Sequence, residues 1–226
     1  MNLYFIVEGR RTEKKVYPAW LNFLIPELNR VTWSNEAVNN NYYLFNGNGF
    51  PALLHNHLKN SIEEVNELGN YNYLVLILDV DETSVQERKI EVQNFILKEN
   101  LELQDCELVV IPQNRCIESW FLGNKNIFKA NAQDPILNEY TRYYNVRDND
   151  PELMGVYGSF NTHAQFHADY CTLFLRERNI RYSKNNPNGV TEENYLNSLI
   201  DRQQTTESLE SFKYFIDFCK LIRDSL

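Results

Sequence analysis

Two aspartates follow the most apolar stretch of the chain. Residues 73–78 read Tyr-Leu-Val-Leu-Ile-Leu, and Asp79 and Asp81 come directly after them. A continuous apolar run predicts a strand buried on both faces, which is typical of a central strand in a parallel sheet. Ligand sites of such sheets lie beyond the carboxyl ends of the strands. On an extended chain the two carboxylates face the same way and repel each other, so they predict a site for a hard divalent cation, Mg²⁺ or Mn²⁺.

Polar residues also follow two other predicted strands. Glu8 comes after the apolar run 3–7, and Arg115 and Glu118 come after the run 107–111. A parallel sheet brings the carboxyl ends of its strands to one edge. We therefore expect Glu8 to lie close to the aspartate pair, and Glu118 to be able to add a fourth acid. Oxygen ligands of this kind suit Mg²⁺ and Mn²⁺.

The elements that must position these side chains follow a regular order. The first 125 residues alternate between β-prone runs and amphipathic segments as β-α-β-α-β-α-β. This alternation predicts an α/β fold, a Rossmann-like parallel sheet flanked by helices. Residues 126–226 show helical patterns without strands, so we expect a mainly helical region packed on an α/β domain of residues 1–125. The predicted strands cover residues 3–7, 42–45, 73–78 and 107–111, and the predicted helices between them cover 12–28, 52–68 and 84–100.

The composition limits the class of protein. The net charge of −9 over 226 residues argues against a generally basic protein that coats nucleic acid, but it is compatible with a nuclease whose cations are concentrated in one place. The chain has no run of about 18 apolar residues, so we expect no membrane span. The first residues show neither a basic leader nor a small-residue cleavage site, so we expect no secretory signal, and the four cysteines lie far apart. We therefore expect a cytoplasmic protein with reduced thiols.

The motifs at the strand ends resemble those of a known family. Ile-Val-Glu-Gly-Arg-Arg-Thr-Glu at 6–13 and Leu-Asp-Val-Asp at 78–81 resemble the TOPRIM domain of topoisomerases, bacterial primases and OLD-type nucleases. Together with Tyr17 and the segment Pro-Gln-Asn-Arg-Cys-Ile-Glu-Ser-Trp-Phe-Leu at 112–122, the pattern is similar to the compact TOPRIM proteins of the RloB and AbiL class from bacterial anti-phage systems. The resemblance covers residues 1–125.

This resemblance implies a metal-dependent nuclease that hydrolyses phosphodiester bonds in DNA or RNA, in defence against phage by abortive infection. It implies that Glu8 acts as general acid or base or as a further metal ligand, that Asp79 and Asp81 bind Mg²⁺ or Mn²⁺, and that Glu118 completes the site. The cation would neutralise the phosphate and help to generate hydroxide. We expect nearby arginines to hold the phosphate oxygens, namely Arg10, Arg11 and Arg115.

Each of these residues also has a plainer structural interpretation. Glu8 can be an ordinary acid favoured by the start of a helix, and one aspartate of the pair can be a helix cap while the other is solvated. Glu118 can be a surface residue of an amphipathic helix. Arg10 and Arg11 can belong to a solvated helix face. Glu82, next to the aspartate pair, is a weaker candidate ligand because adjacent residues of a strand point in opposite directions.

Two further patterns lie in the C-terminal region. His163 and His167 are four residues apart, a spacing that can bind zinc, but we interpret them as half-buried structural histidines. The segment 176–184 is the densest basic stretch of the chain and contains Tyr182. It can grip a nucleic-acid backbone and stack a base, or it can be a helix end whose cations are favoured by the helix dipole.

Two other functions compete with a nuclease that acts alone. One is a regulatory or effector subunit, with little or no activity alone, that works with an ATPase partner. TOPRIM nucleases often work beside ABC-type ATPases, and this chain has no Walker A sequence of its own. The other is a hydrolase of nucleotides or other phosphate esters that uses the same acids on a small molecule. A monomer and a homo-oligomer both stay open, and we expect no membrane partner.

Overall fold

A five-stranded parallel sheet flanked by helices forms the centre of the protein, which the computed structural model describes over residues 1–226. The strands are β1 (Asn2–Val7), β2 (Asn29–Arg30), β3 (Asn41–Asn46), β4 (Tyr73–Asp79) and β5 (Glu107–Gln113). Their order across the sheet is β2-β3-β1-β4-β5, and every neighbouring pair is parallel. The predicted α/β, Rossmann-like class is therefore confirmed. The short strand β2 was not predicted, because two residues carry no periodicity.

Eight α-helices connect and follow the strands. In chain order they are α1 (Glu13–Leu24), α2 (Lys59–Leu68), α3 (Val85–Lys98), α4 (Ile117–Phe121), α5 (Pro135–Tyr143), α6 (His163–Glu177), α7 (Glu193–Thr205) and α8 (Glu210–Asp224). A π-helical segment, Leu53–Leu58, leads into α2, and short 3₁₀ turns occur at Ser34–Glu36, Lys125–Ile127 and Pro151–Leu153. None of the helices combines the length and the apolar character needed to cross a membrane.

Strand β4 is covered on both faces, which explains its unbroken apolar sequence. Leu74, Leu76 and Leu78 pack in one cluster with α2 and α3. Val75 and Ile77 pack in the other cluster, which contains α1 and α8. Burying one side chain of this size contributes about 1.5–3 kcal/mol, so the run stabilises both layers at once.

The C-terminal helices share the larger of these clusters with the sheet. Trp20 of α1 packs edge-on against Phe212 of α8 with ring centroids 5.9 Å apart, and its indole N–H donates to the Val190 carbonyl at 3.0 Å. Phe5 of β1 likewise contacts Phe218 of α8 at 6.3 Å. Residues on both sides of position 125 therefore form one continuous core.

Helix α1 ends earlier than its apolar pattern predicts. The predicted helix runs to residue 28, but α1 ends at Leu24. Pro26 follows at once, and the residue before a proline is disfavoured in the helical conformation, so Ile25 leaves the helix. The four cysteines, which the sequence predicted to be reduced, are free thiols in the structure.

The connections place a crevice between β1 and β4. The chain first builds β2 and β3 on one side of β1 and then crosses to build β4 and β5 on the other side. In open α/β sheets such a reversal of direction leaves a crevice at the carboxyl ends of the two diverging strands, and ligands bind there. The strand-end acids predicted from the sequence lie at this edge.

Candidate active site

A cleft of about 340 Å³ opens at the carboxyl edge of the sheet, beside the crevice between β1 and β4. Four acids line it, namely Glu8, Glu13, Asp79 and Glu118. Three cations line it as well, namely Arg10, Arg11 and Lys184. The strand ends predicted from the sequence thus meet with helices α1 and α4 and with a loop of the C-terminal region.

Glu8 is held in the cleft by backbone amides. Its own N–H donates to the Ile77 carbonyl at 3.0 Å, which extends the pairing of β1 with β4. Its carboxylate accepts from the N–H of Asp79 at 2.9 Å and from the N–H of Phe50 at 3.0 Å. Burial raises the pKa of Glu8, whereas these two hydrogen bonds act in the opposite direction. The predicted proximity of Glu8 and Asp79 is therefore present in the structure.

Asp79, the last residue of β4, is the least satisfied acid of the cleft. Its Oδ1 atom is buried and has no hydrogen-bond partner. Burial raises the pKa of Asp79 well above its usual range, and the neighbouring acids raise it further. Those acids are Glu8, Glu13, Asp81 and Glu118. A buried carboxylate among other carboxylates is costly when ionised, so this position requires either a proton or a cation.

Glu13, the first residue of α1, is a site residue that the sequence analysis did not select. Its carboxylate lies so close over Gly9 that a Cβ atom added there would be 1.8 Å from Glu13 Oε2. Burial raises the pKa of Glu13 to about 7, and the charges of Glu118 and Glu8 add to the effect. A carboxyl group with this pKa can accept or donate a proton near neutral pH. One feature of the sequence could have pointed to Glu13: it lies in the first turn of the helix that follows Glu8 and Gly9.

Glu118 lies in α4 and is only 2% exposed, which excludes its interpretation as a surface residue. Its Oε1 atom accepts from the Tyr182 hydroxyl at 3.0 Å and lies 3.7 Å from Lys184 Nζ. Glu118 raises the pKa of Lys184 in turn, so the lysine is firmly cationic. Both partners come from the segment after α6, which the sequence analysis did not connect with the acids.

Asp81 departs from its predicted arrangement. Strand β4 ends at Asp79, and Asp81 adopts a left-handed backbone conformation with φ of 53°. The alternation of an extended strand therefore does not apply, and Asp81 does not line the cleft beside Asp79. Its carboxylate instead lies 3.6 Å from the guanidinium of Arg88, which also donates to the Val80 carbonyl at 3.1 Å. Asp81 stands at the margin of the site.

The three predicted phosphate-binding arginines divide into two groups. Arg10 and Arg11 are exposed and line the cleft. Arg115 is turned away from the cleft, with a left-handed φ of 68°, and donates to the carbonyls of Asp81 at 2.8 Å and Thr83 at 3.0 Å. Arg115 therefore stabilises the turn after β4, and its predicted contact with phosphate has no support in this arrangement.

The cleft acids have the oxygen ligands that a hard divalent cation prefers, but their side chains are too far apart to bind one in this arrangement. No three or more Asp, Glu, His or Cys side chains are gathered closely enough to hold a metal ion as they stand. The four cleft acids nevertheless offer only oxygen donors, which Mg²⁺ and Mn²⁺ prefer. The unpartnered Oδ1 of Asp79 marks where positive charge would relieve the repulsion.

The remaining candidates have structural roles. The carboxylate of Glu82 contacts Nδ1 of His163 and accepts from the His163 backbone N–H at 2.8 Å. His167 is buried between the Ser119 hydroxyl, 2.7 Å from Nδ1, and the Met154 carbonyl, 3.1 Å from Nε2. Burial lowers the pKa of His167 to about 4, so the imidazole is neutral. The two histidines therefore do not form a zinc pair.

The cleft and the sequence motifs are the observations that bear on function. The motifs with the TOPRIM resemblance contain Glu8, Asp79 and Glu118, and all three side chains line the cleft. No protein-family model matches the chain, and neither a curated protein nor a solved structure matches it.

Proposed function

We propose that this protein is a divalent-cation-dependent hydrolase of phosphodiester bonds in nucleic acid. The observation that carries the proposal is the half-buried Asp79 carboxylate at the end of a central strand, one oxygen of which is buried and unpartnered. Three further acids surround it, and cations stand at the same cleft. Buried acids whose pKa values are raised by one another are typical of functional sites.

The cleft offers ligands for the cation that this chemistry requires. Glu8, Glu13, Asp79 and Glu118 would supply oxygen ligands for Mg²⁺ or Mn²⁺ once their side chains draw closer together than they stand. Asp81 would join them only after its carboxylate leaves Arg88. When bound, such a cation neutralises phosphate charge and lowers the pKa of a coordinated water molecule.

The cleft's own residues account for substrate placement. Arg10, Arg11 and Lys184 can bind the non-bridging oxygens of a phosphate, as charge-assisted hydrogen bonds of this kind are the strong ones. Two backbone amides donate to the Glu8 carboxylate and hold it in one orientation at the cleft. The tight contact of Glu13 with Gly9 similarly fixes the acid of α1 at the cleft floor.

The TOPRIM resemblance supports the same reaction class. It adds the proposal that the protein acts as an effector of bacterial defence against phage, with DNA or RNA as the substrate. Its metal-binding aspartates and its strand-end glutamate correspond to Asp79, Asp81 and Glu8.

The test is hydrolysis of labelled DNA, labelled RNA and a small diester, bis(p-nitrophenyl) phosphate. We expect turnover with Mg²⁺ or Mn²⁺, loss of turnover with EDTA, and a fall of about 10³-fold for Asp79→Asn because one charged ligand is removed. The matched control is Asp224→Asn, which removes an acid whose side chain is 72% exposed at the end of α8. Turnover by Asp79→Asn equal to that of the unaltered protein would refute the proposed site.

A second candidate function is favoured by the Arg88–Asp81 pair. This pair holds one of the predicted ligands outside the cleft. An effector subunit that becomes active only when a partner ATPase rearranges the turn after β4 would show this arrangement at rest. Assays with and without the co-expressed ATPase separate the two candidates, because an autonomous enzyme shows equal turnover in both.

A further inference from the structure

A second groove is linked to the cleft through Tyr182 and carries part of the basic stretch of the sequence. It has a volume of about 490 Å³ and is lined by six residues, namely Thr172, Arg176, Asn179, Ile180, Arg181 and Tyr182. Two of these residues are cations and none is an acid. Arg176 is paired with Asp134, so Arg181 is the cation that the groove leaves without an acid partner. In a chain with a net charge of −9, an unpaired cation in a groove without acids favours an anion.

Tyr182 connects this groove with the acidic cleft. Its side chain lines the groove, while its hydroxyl donates to Glu118 in the cleft at 3.0 Å. Two residues later, Lys184 lines the cleft itself. The short segment 181–184 thus presents Arg181 to the groove and Lys184 to the cleft, so one bound chain can follow it from one to the other.

Contacts with α1 hold this segment in place. The ammonium of Lys15 donates to the Asn185 carbonyl at 2.6 Å, and the Thr12 hydroxyl donates to the Lys184 carbonyl at 3.4 Å. The ring of Tyr182 packs edge-on against Phe121 of the core with centroids 5.9 Å apart. The groove and the cleft are therefore fixed relative to each other before any ligand binds.

The arginines of the basic stretch differ in the hydrogen bonds and ion pairs that they make. Arg178 donates to the carbonyls of Ile127 and Phe128, so it belongs to the architecture. Arg176 is 65% exposed and pairs with Asp134 at the groove wall. Arg181 is exposed and makes no ion pair or side-chain hydrogen bond. Arg181 is therefore the arginine of this stretch that is most available to bind a ligand.

We infer that the groove binds the backbone of a single-stranded nucleic acid next to the phosphate in the cleft. This inference rests on the proposed function for the position of the scissile phosphate and adds the direction in which the chain continues. A cleft of about 340 Å³ is at the small end of ligand pockets, which span about 300–1,000 Å³, so it has room for one nucleotide unit, and the unpaired Arg181 of the groove can bind the backbone of that same strand. A basic groove that tracks the backbone is the usual means of binding single strands.

The first measurement is binding, made with Asp79→Asn so that cleavage does not interfere. A labelled single-stranded oligonucleotide is titrated by fluorescence anisotropy at several salt concentrations. We expect Arg181→Glu to weaken binding about tenfold, and Arg181→Ala to reduce the slope of log K against log salt by about 0.7, the share of one phosphate contact on a single strand. The matched control is Arg30→Glu, an exposed arginine in β2 at the amino edge of the sheet, which should leave binding unchanged.

The second measurement compares oligonucleotide with bis(p-nitrophenyl) phosphate, which is too short to reach the groove. In the protein with intact Asp79, Arg181→Glu should lower the ratio of kcat/KM for oligonucleotide to kcat/KM for the small diester about tenfold. An unchanged ratio together with unchanged binding would overturn the inference. Tighter binding of a duplex than of a single strand, with the same dependence on Arg181, would overturn the choice of a single strand.

The two proposals fail in different ways. If neither substrate is cleaved but oligonucleotide binding depends on Arg181, the hydrolase proposal is refuted and the groove is supported as a binding site. If both substrates are cleaved and Arg181 has no effect in either measurement, the groove is refuted as a binding site and the hydrolase proposal is supported.

Discussion

The protein contains two groups of buried acids whose surroundings differ. In the cleft, burial and the charges of neighbouring acids raise the pKa values of Asp79 and Glu13, and Asp79 Oδ1 has no partner. Glu152, in the 3₁₀ turn Pro151–Leu153, contacts the start of α8 and is 3% exposed. It accepts from the Ser211 N–H at 3.0 Å, the Ser211 hydroxyl at 2.6 Å and the Phe212 N–H at 3.3 Å. Burial raises the pKa of Glu152 to about 7 as well.

The difference shows that burial alone does not identify a site. Glu152 has hydrogen-bond donors for both oxygens and supplies the helix cap that Leu209, in a left-handed conformation, does not provide. It is an architectural acid, because a carboxylate at a helix N-terminus is favoured by the dipole. In the cleft, by contrast, Asp79 has a buried oxygen without any donor and lies among other acids. Unsatisfied and mutually repelling acids, in contrast to satisfied ones, are typical of a ligand site.

The largest expected change in stability comes from substituting Glu152, the architectural acid. Glu152→Ala should lower the free energy of unfolding by about 3–5 kcal/mol, because three buried donors lose their acceptor. Urea unfolding followed by circular dichroism measures this change. Glu152→Gln, which keeps one acceptor oxygen, should cost less. Equal stability of Glu152→Ala and the unaltered protein would remove the contrast between the two groups.

The next effect concerns pH. The pKa of Glu13 rises from 4.5 to about 7 on folding, so between these values the folded state binds more protons than the unfolded state. The contribution of Glu13 to stability should therefore fall as the pH rises from 4.5 to 7 and should level off above 7. Glu13→Gln should remove about 3 kcal/mol of this fall. Urea unfolding across the pH range, without divalent cations, measures it. Superimposable profiles of the two proteins would contradict the prediction.

A smaller effect, stabilisation by a divalent cation, should depend on the cleft acids and not on Glu152. Saturating Mg²⁺ or Mn²⁺ should stabilise the unaltered protein by about 2.7 kcal/mol at a concentration one hundred times the Kd. The stabilisation should persist in Glu152→Gln and disappear in Asp79→Asn, because only the cleft acids would hold the cation. Thermal unfolding with and without the cation provides the measurement. Equal stabilisation of Asp79→Asn would place the cation elsewhere.

The smallest expected effect is a gain in stability. Without divalent cations and at neutral pH, Asp79→Asn should raise the free energy of unfolding by about 1 kcal/mol, because it removes an acid whose pKa is raised on folding and which therefore costs stability at this pH. The change is opposite in sign to that of Glu152→Ala. Urea unfolding of both variants under one condition compares them directly. A loss of stability in Asp79→Asn would show that its carboxylate is satisfied in solution.

Much of the fold follows from local pattern. The runs 3–7 and 73–78 predicted β1 and β4 to within one residue, because strands covered on both faces need uninterrupted apolar side chains. Ser84 was predicted near the start of α3, and it forms the capping box with Glu87. The two-residue strand β2 carries too few residues for any such pattern.

The site was predicted in part. Glu8, Asp79 and Glu118 line one cleft, since parallel strands end at one edge. Asp81 and Arg115 were predicted to face ligand, but both adopt left-handed conformations and bond to each other's backbone. Alternation along a strand has no bearing once the strand has ended. The placement of these side chains depends on the turn that joins β4 to α3.

Local pattern along the chain was sufficient to predict the parallel sheet and the convergence of strand-end acids, because the apolar runs mark the strands and the helices between them imply parallel connections. Long-range packing places Glu13 among these acids, pairs Arg88 with Asp81, and brings Tyr182 and Lys184 to Glu118. Those contacts join residues far apart in the chain. They are set by how the C-terminal helices pack on the sheet, which no local pattern encodes.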